Sequence, residues 1–246
     1  MSSPETFAGI IDRVEQQRRT VTVHAPALPD ALRRIFETRH VELVHEFVPQ
    51  AAAEPFLTVT EGDDYVGSVD LPAVYDFGHP KIHEVGDPEF VDAAYRRLTS
   101  LLPDTVFSSL DRRQLLATSR EFEDRAWRVG RGRLDVGFQS LSKLRAQTKE
   151  YVALAERGLD IHVYGEADWR PPFLSDVTTH TDGDELGEVW FMAYDGGGDA
   201  GQACGLVAEE TSAGAFRGFW TYDVRVVQDV FDVAARFPPT PESELP

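Results

Sequence analysis

The spacing of hydrophobic residues along the chain predicts an alternation of helices and strands. Apolar residues recur every three or four positions in six segments, which is typical of amphipathic helices. These segments are residues 7–14, 29–39, 88–102, 111–129, 141–156 and the stretch after Asp223. Short alternating or continuous apolar runs predict strands between them. The runs are residues 20–25, 41–48, 56–59, 65–69, 134–138, 160–164, 189–194, 203–210 and 216–222. The pattern predicts an α/β fold of the α+β type, with mixed sheets and flanking helices.

Polar residues just before the apolar segments predict where helices begin. Asp111 is placed to cap the longest helix, and Gln114 three residues later completes a capping box. Asp223 is placed to cap the last helix, and Ser2 or Ser3 the first one. These positions predict helix starts more sharply than apolar spacing does.

Changes in composition predict two units joined by a connector. Residues 1–78 have the order of an amino-terminal αβαβ unit, and residues 79–87 are a polar stretch with proline and glycine. Residues 88–237 form a larger unit. Residues 238–246 (PPTPESELP) are predicted to be a disordered tail.

Charge excludes several classes of partner. The chain has 24 basic and 42 acidic residues and a net charge of −18, which argues against nucleic acid and anionic membranes as partners. It contains three lysines and no asparagine. In molar salt the Debye length falls to about 3 Å, so a strongly acidic surface is tolerated. We interpret the chain as a halophile's intracellular protein; the alternative is an acidic mesophilic protein from a GC-rich genome.

Targeting signals and common catalytic motifs are absent from the sequence. It has no apolar run of membrane-spanning length and no signal peptide, so a cytoplasmic location is expected. There is no P-loop, His-Glu-x-x-His or Gly-x-Ser-x-Gly motif. Gly196 to Gly201 (GGGDAG) match G-x-G-x-x-G but lie between two strands, which favours a hairpin turn. His79 and His83 have no further ligands at metal-site spacing, and Cys204 is expected to be buried. No cofactor can be assigned.

The segment 112–133 is unusual because it holds seven arginines in 22 residues. Acidic residues four positions away can pair with several of them and form a salt-bridged helix. The other interpretation is a recessed site in which Arg120, Arg125 and Arg128 hold a carboxylate or phosphate, with Trp127 as a stacking wall.

Aromatic and polar residues near two strand ends extend this hypothesis to a small-molecule pocket. Tyr164, Glu166 and Trp169 follow the predicted strand 160–164, where α/β folds place ligand loops. Trp220 and Tyr222 share one face of a later strand. The candidate ligand-binding residues are therefore Arg120, Arg125, Trp127, Arg128, Tyr164, Glu166, Trp169, Trp220 and Tyr222.

Four segments resemble, in order and spacing, the DICT sensory domain, most strongly in stand-alone DICT-domain proteins of haloarchaea. They are residues 118–147, 162–169, 190–210 and 218–223. The resemblance covers residues 88–237, and the amino-terminal part is similar to the same proteins less distinctively. It implies an α/β signal-input module, named for diguanylate cyclases and two-component systems, with a link to light responses. No catalytic residue is implied, and a partner protein would have to read the signal.

Three hypotheses about function remain open at this point. The first is a non-enzymatic cytoplasmic sensory protein that binds a small molecule or a partner and relays its state by protein contact. The second is an enzyme that uses Glu123, Glu166 or Asp168 as a buried acid or base. The third is a ligand-free interaction protein with an exposed apolar patch larger than about 600 Å². Binding of nucleic acid would require the arginines to form one isolated exposed face.

Overall fold

A computed structural model describes residues 6–16, 19–37, 39–49, 54–72, 74, 85–86, 101–102, 104, 106–172 and 177–246. The helices in these residues are α1 (Phe7–Glu15), α2 (Asp30–Glu37), α3 (Arg112–Val129), α4 (Thr148–Glu156) and α5 (Val224–Ala234). The first strands are β1 (Arg19–Ala25), β2 (Val41–Phe47), β3 (Phe56–Glu61), β4 (Asp64–Asp70), β5 (Phe107–Asp111) and β6 (Gly132–Ser140). They are followed by β7 (Leu159–Glu166), β8 (Thr178–His180), β9 (Val189–Tyr194), β10 (Cys204–Ser212) and β11 (Ala215–Thr221).

The strands form two sheets, and the predicted α/β class is confirmed. The smaller sheet has the order β2-β1-β3-β4, with β1 and β2 parallel and the other pairs antiparallel. The larger sheet has the order β5-β11-β10-β9-β6-β7-β8. Its strands β6, β7 and β8 are parallel, and the remaining neighbours are antiparallel. The larger sheet is therefore mixed, with parallel strands at one end only.

Helices cover both faces of the seven-stranded sheet. Trp190 and Met192 of β9 pack in the same hydrophobic cluster as residues of α3 and α4. Phe191, between them, packs with residues of α1 and α5 on the other face. All six residues of β9 are buried for this reason. No helix in the described ranges is long and apolar enough to cross a membrane.

Helix α1 packs on the larger sheet, although the sequence pattern assigned it to the amino-terminal unit. Phe7 stacks on Phe191 with 4.4 Å between ring centroids. Arg217 of β11 donates to carboxylates of α1, at 2.6 Å to Glu15. The cap of α1 is Thr6, whose hydroxyl accepts from the amide of Gly9 at 3.0 Å. The predicted caps, Ser2 and Ser3, lie outside the described residues, as does most of the predicted connector at 79–87.

Arginines from the amino-terminal segment contact residues outside the smaller sheet. Arg39 lies over the Trp220 ring at 5.3 Å, and the amide of the next residue donates to the carbonyl of Val106 at 2.7 Å. Arg19 donates to the carbonyl of Leu101 at 3.1 Å. Both arginines are buried. Side chains from the two sheets belong to one hydrophobic cluster.

The predicted elements are confirmed where the structure describes them, with two kinds of difference: two strands that were not predicted and one helix that begins as a 3₁₀ helix. Strands β5 and β8 escape prediction because they are short and polar. The predicted helix 141–156 begins as a 3₁₀ helix, Leu141–Gln147, before α4. Most of the predicted helix 88–102 lies outside the described residues.

The carboxyl-terminal residues differ from the disorder that their composition predicts. The amide of Thr240 donates to the carbonyl of Thr179 at 2.7 Å. Leu245 is only 6% exposed and belongs to the main hydrophobic cluster. An edge strand has unpaired backbone groups, and this segment uses those of β8.

The capping box of α3 gives a stability prediction. Asp111 accepts from the amide of Gln114 at 2.8 Å, and the Gln114 side chain accepts from the amide of Asp111 at 3.2 Å. Asp111→Ala should lower the free energy of unfolding by about 1 kcal/mol, because helix amides lose an acceptor. Urea denaturation in molar potassium chloride measures it. Asp111→Asn keeps an acceptor and is the matched control; equal loss in both variants would contradict the capping role.

Candidate functional site

The predicted aromatic residues are divided between the two faces of the seven-stranded sheet. Trp220 and Tyr222 lie on the face that α3 covers, as their spacing of two predicts. Tyr164 lies on the opposite face, with its ring centroid 5.2 Å from that of Phe191. The sheet separates Tyr164 from the other two, so they cannot line one pocket.

The three predicted anion-binding arginines also do not converge. Arg125 lies over the ring of Tyr222 at 4.7 Å. Arg128 is at the surface, 3.7 Å from a carboxylate oxygen of Glu121. Arg120 is buried, with 4% of its side chain exposed. The helix carries its arginines in different directions, and each one pairs within the chain.

Each candidate tryptophan contacts an arginine from another element, so one face of its ring is covered by a guanidinium group. Such pairs are favourable because the cation lies on the negative face of the ring. The pairs are Arg39 over Trp220 (5.3 Å), Arg145 over Trp169 (5.2 Å) and Arg157 over Trp127 (5.4 Å). The predicted aromatic walls therefore serve as packing contacts between segments.

A buried polar network between α3 and α4 includes one of the predicted residues. Arg120 forms ion pairs with Glu123, one turn along α3, and with Glu150 of α4, at 3.1 Å. It also donates to the side-chain oxygen of Gln147. The hydroxyl of Tyr151 donates to Glu123 at 2.7 Å. Buried charges require such partners, and here they come from two helices.

A cavity of about 10 Å³ lies beside this network, close to the smallest volume that holds one water. Ser119, Arg120, Glu123, Gln147 and Tyr151 form its polar lining, and Phe138, Trp190 and Met192 are among the apolar residues. The Ser119 hydroxyl and the Nε of Arg120 are buried, and neither has a hydrogen-bond partner among the residues that the structure describes. Both donors therefore belong to residues that line the cavity.

Burial and charge act in opposite directions on the ionisable groups of this network. Burial raises the pKa of the Glu123 carboxyl, although Arg120 and the Tyr151 hydroxyl oppose the shift. Burial also raises the pKa of Tyr151 well above its usual value. Burial lowers the pKa of Arg120, but Glu123 and Glu150 outweigh it and leave the pKa raised. With both carboxylates ionised, the network has one more negative than positive charge.

The three carboxylates of the enzyme hypothesis do not share a site. Glu166 and Asp168 are exposed near the end of β7, whereas Glu123 is a buried residue of α3. Slight burial raises the pKa of Asp168, but hydrogen bonds from Ser142 outweigh this effect and lower it. Only Glu123 has the burial that the hypothesis requires.

A second polar network lies on the opposite face of the sheet and was not predicted. Arg133 binds both carboxylate oxygens of Asp135, at 2.7 and 2.9 Å, and Tyr164 donates to Asp135 at 2.9 Å. The Tyr164 ring stacks on His180, with 4.2 Å between centroids. His180 in turn lies 2.9 Å from His162. The alternation in residues 160–164 places His162 and Tyr164 on one face and could have suggested this pairing.

Three further predictions concern the glycine-rich segment, the cysteine and a metal. Gly196 to Gly201 connect the antiparallel strands β9 and β10, so the predicted hairpin is confirmed. Cys204 is buried, and burial raises its thiol pKa to about 12. Among the described residues there is no group of three potential metal ligands. His79 and His83 lie outside those residues.

Comparison with known proteins identifies one family. The model of the family described as "Sensory domain in DIguanylate Cyclases and Two-component system" matches residues 93–211. This range contains α3, α4 and the network between them. A comparison with curated proteins gave no match.

Similarity to solved structures is weak. A polyphosphate kinase from Porphyromonas gingivalis is 11% identical with a TM-score of 0.38; the match covers 92% of this chain, which spans 48% of that protein. Sso1120 from Sulfolobus solfataricus is 12% identical with a TM-score of 0.19, covering 65% of this chain and 79% of that one.

The resemblance of residues 118–147 and 162–169 to a sensory domain is thus confirmed independently by the family model. Residues 93–211 match the DICT sensory domain.

Proposed function

We propose that this protein is a non-enzymatic signal-input protein whose DICT domain binds a small molecule at the α3–α4 cavity. It would pass the bound state to a partner protein by contact. The family's sensory role supports the class of function. The place of binding is supported by two buried donors, on residues that line the cavity, that have no partner among the described residues.

The chemistry of the cavity favours a neutral molecule with an acceptor oxygen. The Ser119 hydroxyl and the Nε of Arg120 can each donate a hydrogen bond, and leaving a buried donor unpaired costs about 1–3 kcal/mol. An acceptor placed between them removes this cost. Glu123 and Glu150 already give the network excess negative charge, so a carboxylate or phosphate would be repelled. This replaces the anionic ligand that the arginine pattern suggested.

In this proposal, the segment that covers part of the cavity moves when a ligand binds. The cavity, at about 10 Å³, has no room for more than one water, so a larger ligand must displace part of its lining, such as Gln147 and Tyr151 of the segment 141–156. This segment begins as a 3₁₀ helix, Leu141–Gln147, and continues as α4 from Thr148. Gln147 and Glu150 are also the partners of Arg120 on this segment. A ligand that takes their place would shift the exposed face of α4, which a partner could read.

The cellular setting is part of the proposal. Net charge −18 and the shortage of lysine support a cytoplasm of high salt. The link to light responses adds one requirement, a ligand that absorbs visible light. An absorbance spectrum of the purified protein separates a chromophore from a colourless ligand.

Arg120→Gln should abolish ligand binding, because it removes the Nε donor and the one positive charge that pairs with Glu123 and Glu150. Native mass spectrometry of protein purified from a high-salt host should show an added mass that denaturation releases. The mass should be absent from Arg120→Gln. Arg33→Gln, at an exposed position of α2, is the matched control and should keep it.

Two results would contradict this proposal. One is an added mass that Arg120→Gln retains at wild-type occupancy. The other is a wild-type protein with no added mass and no shift in melting temperature with neutral polar metabolites. In that case the two donors hold a structural water.

A further inference from the structure

The carboxyl-terminal segment, residues 237–246, lies along the open edge of the seven-stranded sheet; we call it the strap. Among the described strands, β8 pairs only with β7, on one of its sides. On its other side, the Thr240 amide donates to the carbonyl of Thr179 at 2.7 Å. The Thr240 hydroxyl accepts from the amide of Thr181 at 2.8 Å. The strap thus satisfies backbone groups that a further strand would otherwise use.

Two more contacts extend the strap beyond β8. Arg170 lies 3.3 Å from a carboxylate oxygen of Glu242. Leu245, near the end of the chain, is buried in the main hydrophobic cluster, which Trp169 and Val177 also contact. The edge therefore recognises three features in an extended segment: a backbone donor, an acidic side chain and an apolar side chain.

The strap is a weak occupant of this edge. Residues 238, 239 and 241 are prolines, which have no backbone N–H, so Thr240 is the one amide donor among residues 238–241. The ion pair between Arg170 and Glu242 is exposed on both sides, and exposed pairs contribute little. A segment with the same three features but more amides would form more ladder hydrogen bonds.

We propose that the edge of β8 is the docking surface for the partner, which binds as an extended acidic segment and displaces the strap. The partner would add a strand to the sheet, as in other β-augmentation complexes. This inference rests on the proposed function only in assuming that a partner protein exists. It does not depend on a ligand in the α3–α4 cavity.

A pair of histidines holds the start of the strap. The Nδ1 of His180 lies 2.7 Å from the carbonyl of Phe237, so Nδ1 must carry the proton. The Nε2 of neutral His180 then accepts from the Nδ1–H of His162, at 2.9 Å. The Phe237 ring packs directly on Gly183, where an added Cβ would lie 2.4 Å from a ring carbon. This clasp fixes the turn from α5 into the strap.

Acid should open the clasp, because two charged histidines would direct N–H groups at each other. The titratable groups that face His180 are His162 and Tyr164 on β7 and Asp135 on β6, and the carbonyls of Phe237 and Pro238 also face it. Asp160 lies 3.4 Å from the Nε2 of His162. Burial lowers the pKa of His180, and a charged His162 lowers it further, while the Phe237 carbonyl and Asp135 oppose the shift. Because the folded pKa is depressed, this contribution to stability is full above about pH 6.5 and is lost as pH falls.

Thr240→Pro should release the strap, because it removes both the amide and the hydroxyl that bind β8. A fluorophore on Pro246→Cys reports release as a fall in anisotropy. The native Cys204 stays unlabelled because it is buried and its thiol pKa is about 12. Thr240→Ser keeps both groups and should keep the wild-type anisotropy. Unchanged anisotropy in Thr240→Pro would contradict the claim that Thr240 holds the strap on β8.

A peptide added in trans tests the docking surface itself. A labelled peptide with the sequence of residues 237–246 should bind the Thr240→Pro chain about tenfold more tightly than the wild-type chain, whose own strap competes. A second peptide with alanine at positions 239 and 241 restores two amides and should bind more tightly still. Equal binding to both chains, or weaker binding of the alanine peptide, would overturn the proposal. Neither assay requires the small molecule, so failure here is distinct from failure at the cavity.

The clasp predicts a pH dependence of strap release. Lowering the pH from about 8 to about 5 should reduce the anisotropy of the labelled chain, with a midpoint below the usual histidine value. His162→Gln should move this transition to higher pH, because His162 lowers the pKa of His180. His45→Gln, on the smaller sheet, should not. An anisotropy of the labelled wild-type chain that does not change between about pH 8 and about pH 5 would contradict the proposed role of the two histidines.

Discussion

The seven-stranded sheet needs apolar cover on both faces, and the rest of the fold depends on this requirement. β9 lies in its centre with all six residues buried. Helices from distant parts of the chain supply the cover, α1 and α5 on one face and α3 and α4 on the other. This is why α1 leaves the amino-terminal strands and packs beside α5. The first helix and the last one therefore form a single layer.

Covering the sheet also brings polar groups into its two interior layers. Arg120 and Glu123 lie on the α3 side, and Asp135, Tyr164 and His180 lie on the other. A buried ion pair is a poor source of stability, since removing charges from water costs about as much as their attraction returns. Such groups are better explained by specificity or switching, which agrees with a sensory family. Both proposals, the ligand cavity and the histidine clasp, use these networks.

Strand β6 connects the two networks. Val136 lines the cavity beneath α3, and its neighbour Asp135 binds Arg133 and Tyr164 on the opposite face. β7 pairs with both β6 and β8, and β8 contacts the strap. A displacement of β6 or β7 that accompanies ligand binding would reach the clasp through two strands. The sheet thus gives a direct physical path from the proposed ligand site to the proposed docking edge.

The sequence by itself determined the features that depend on near neighbours in the chain. The capping box of Asp111 and Gln114, the hairpin at Gly196 to Gly201 and the shared face of Trp220 and Tyr222 are all local, and all are confirmed. Only the tertiary structure decided which side chains meet. Periodicity assigns a residue to a face but not to a partner. It therefore could not separate Tyr164 from Trp220, pair Arg120 with Glu150, or place the proline-rich terminus on β8, because each of these contacts joins segments distant in sequence.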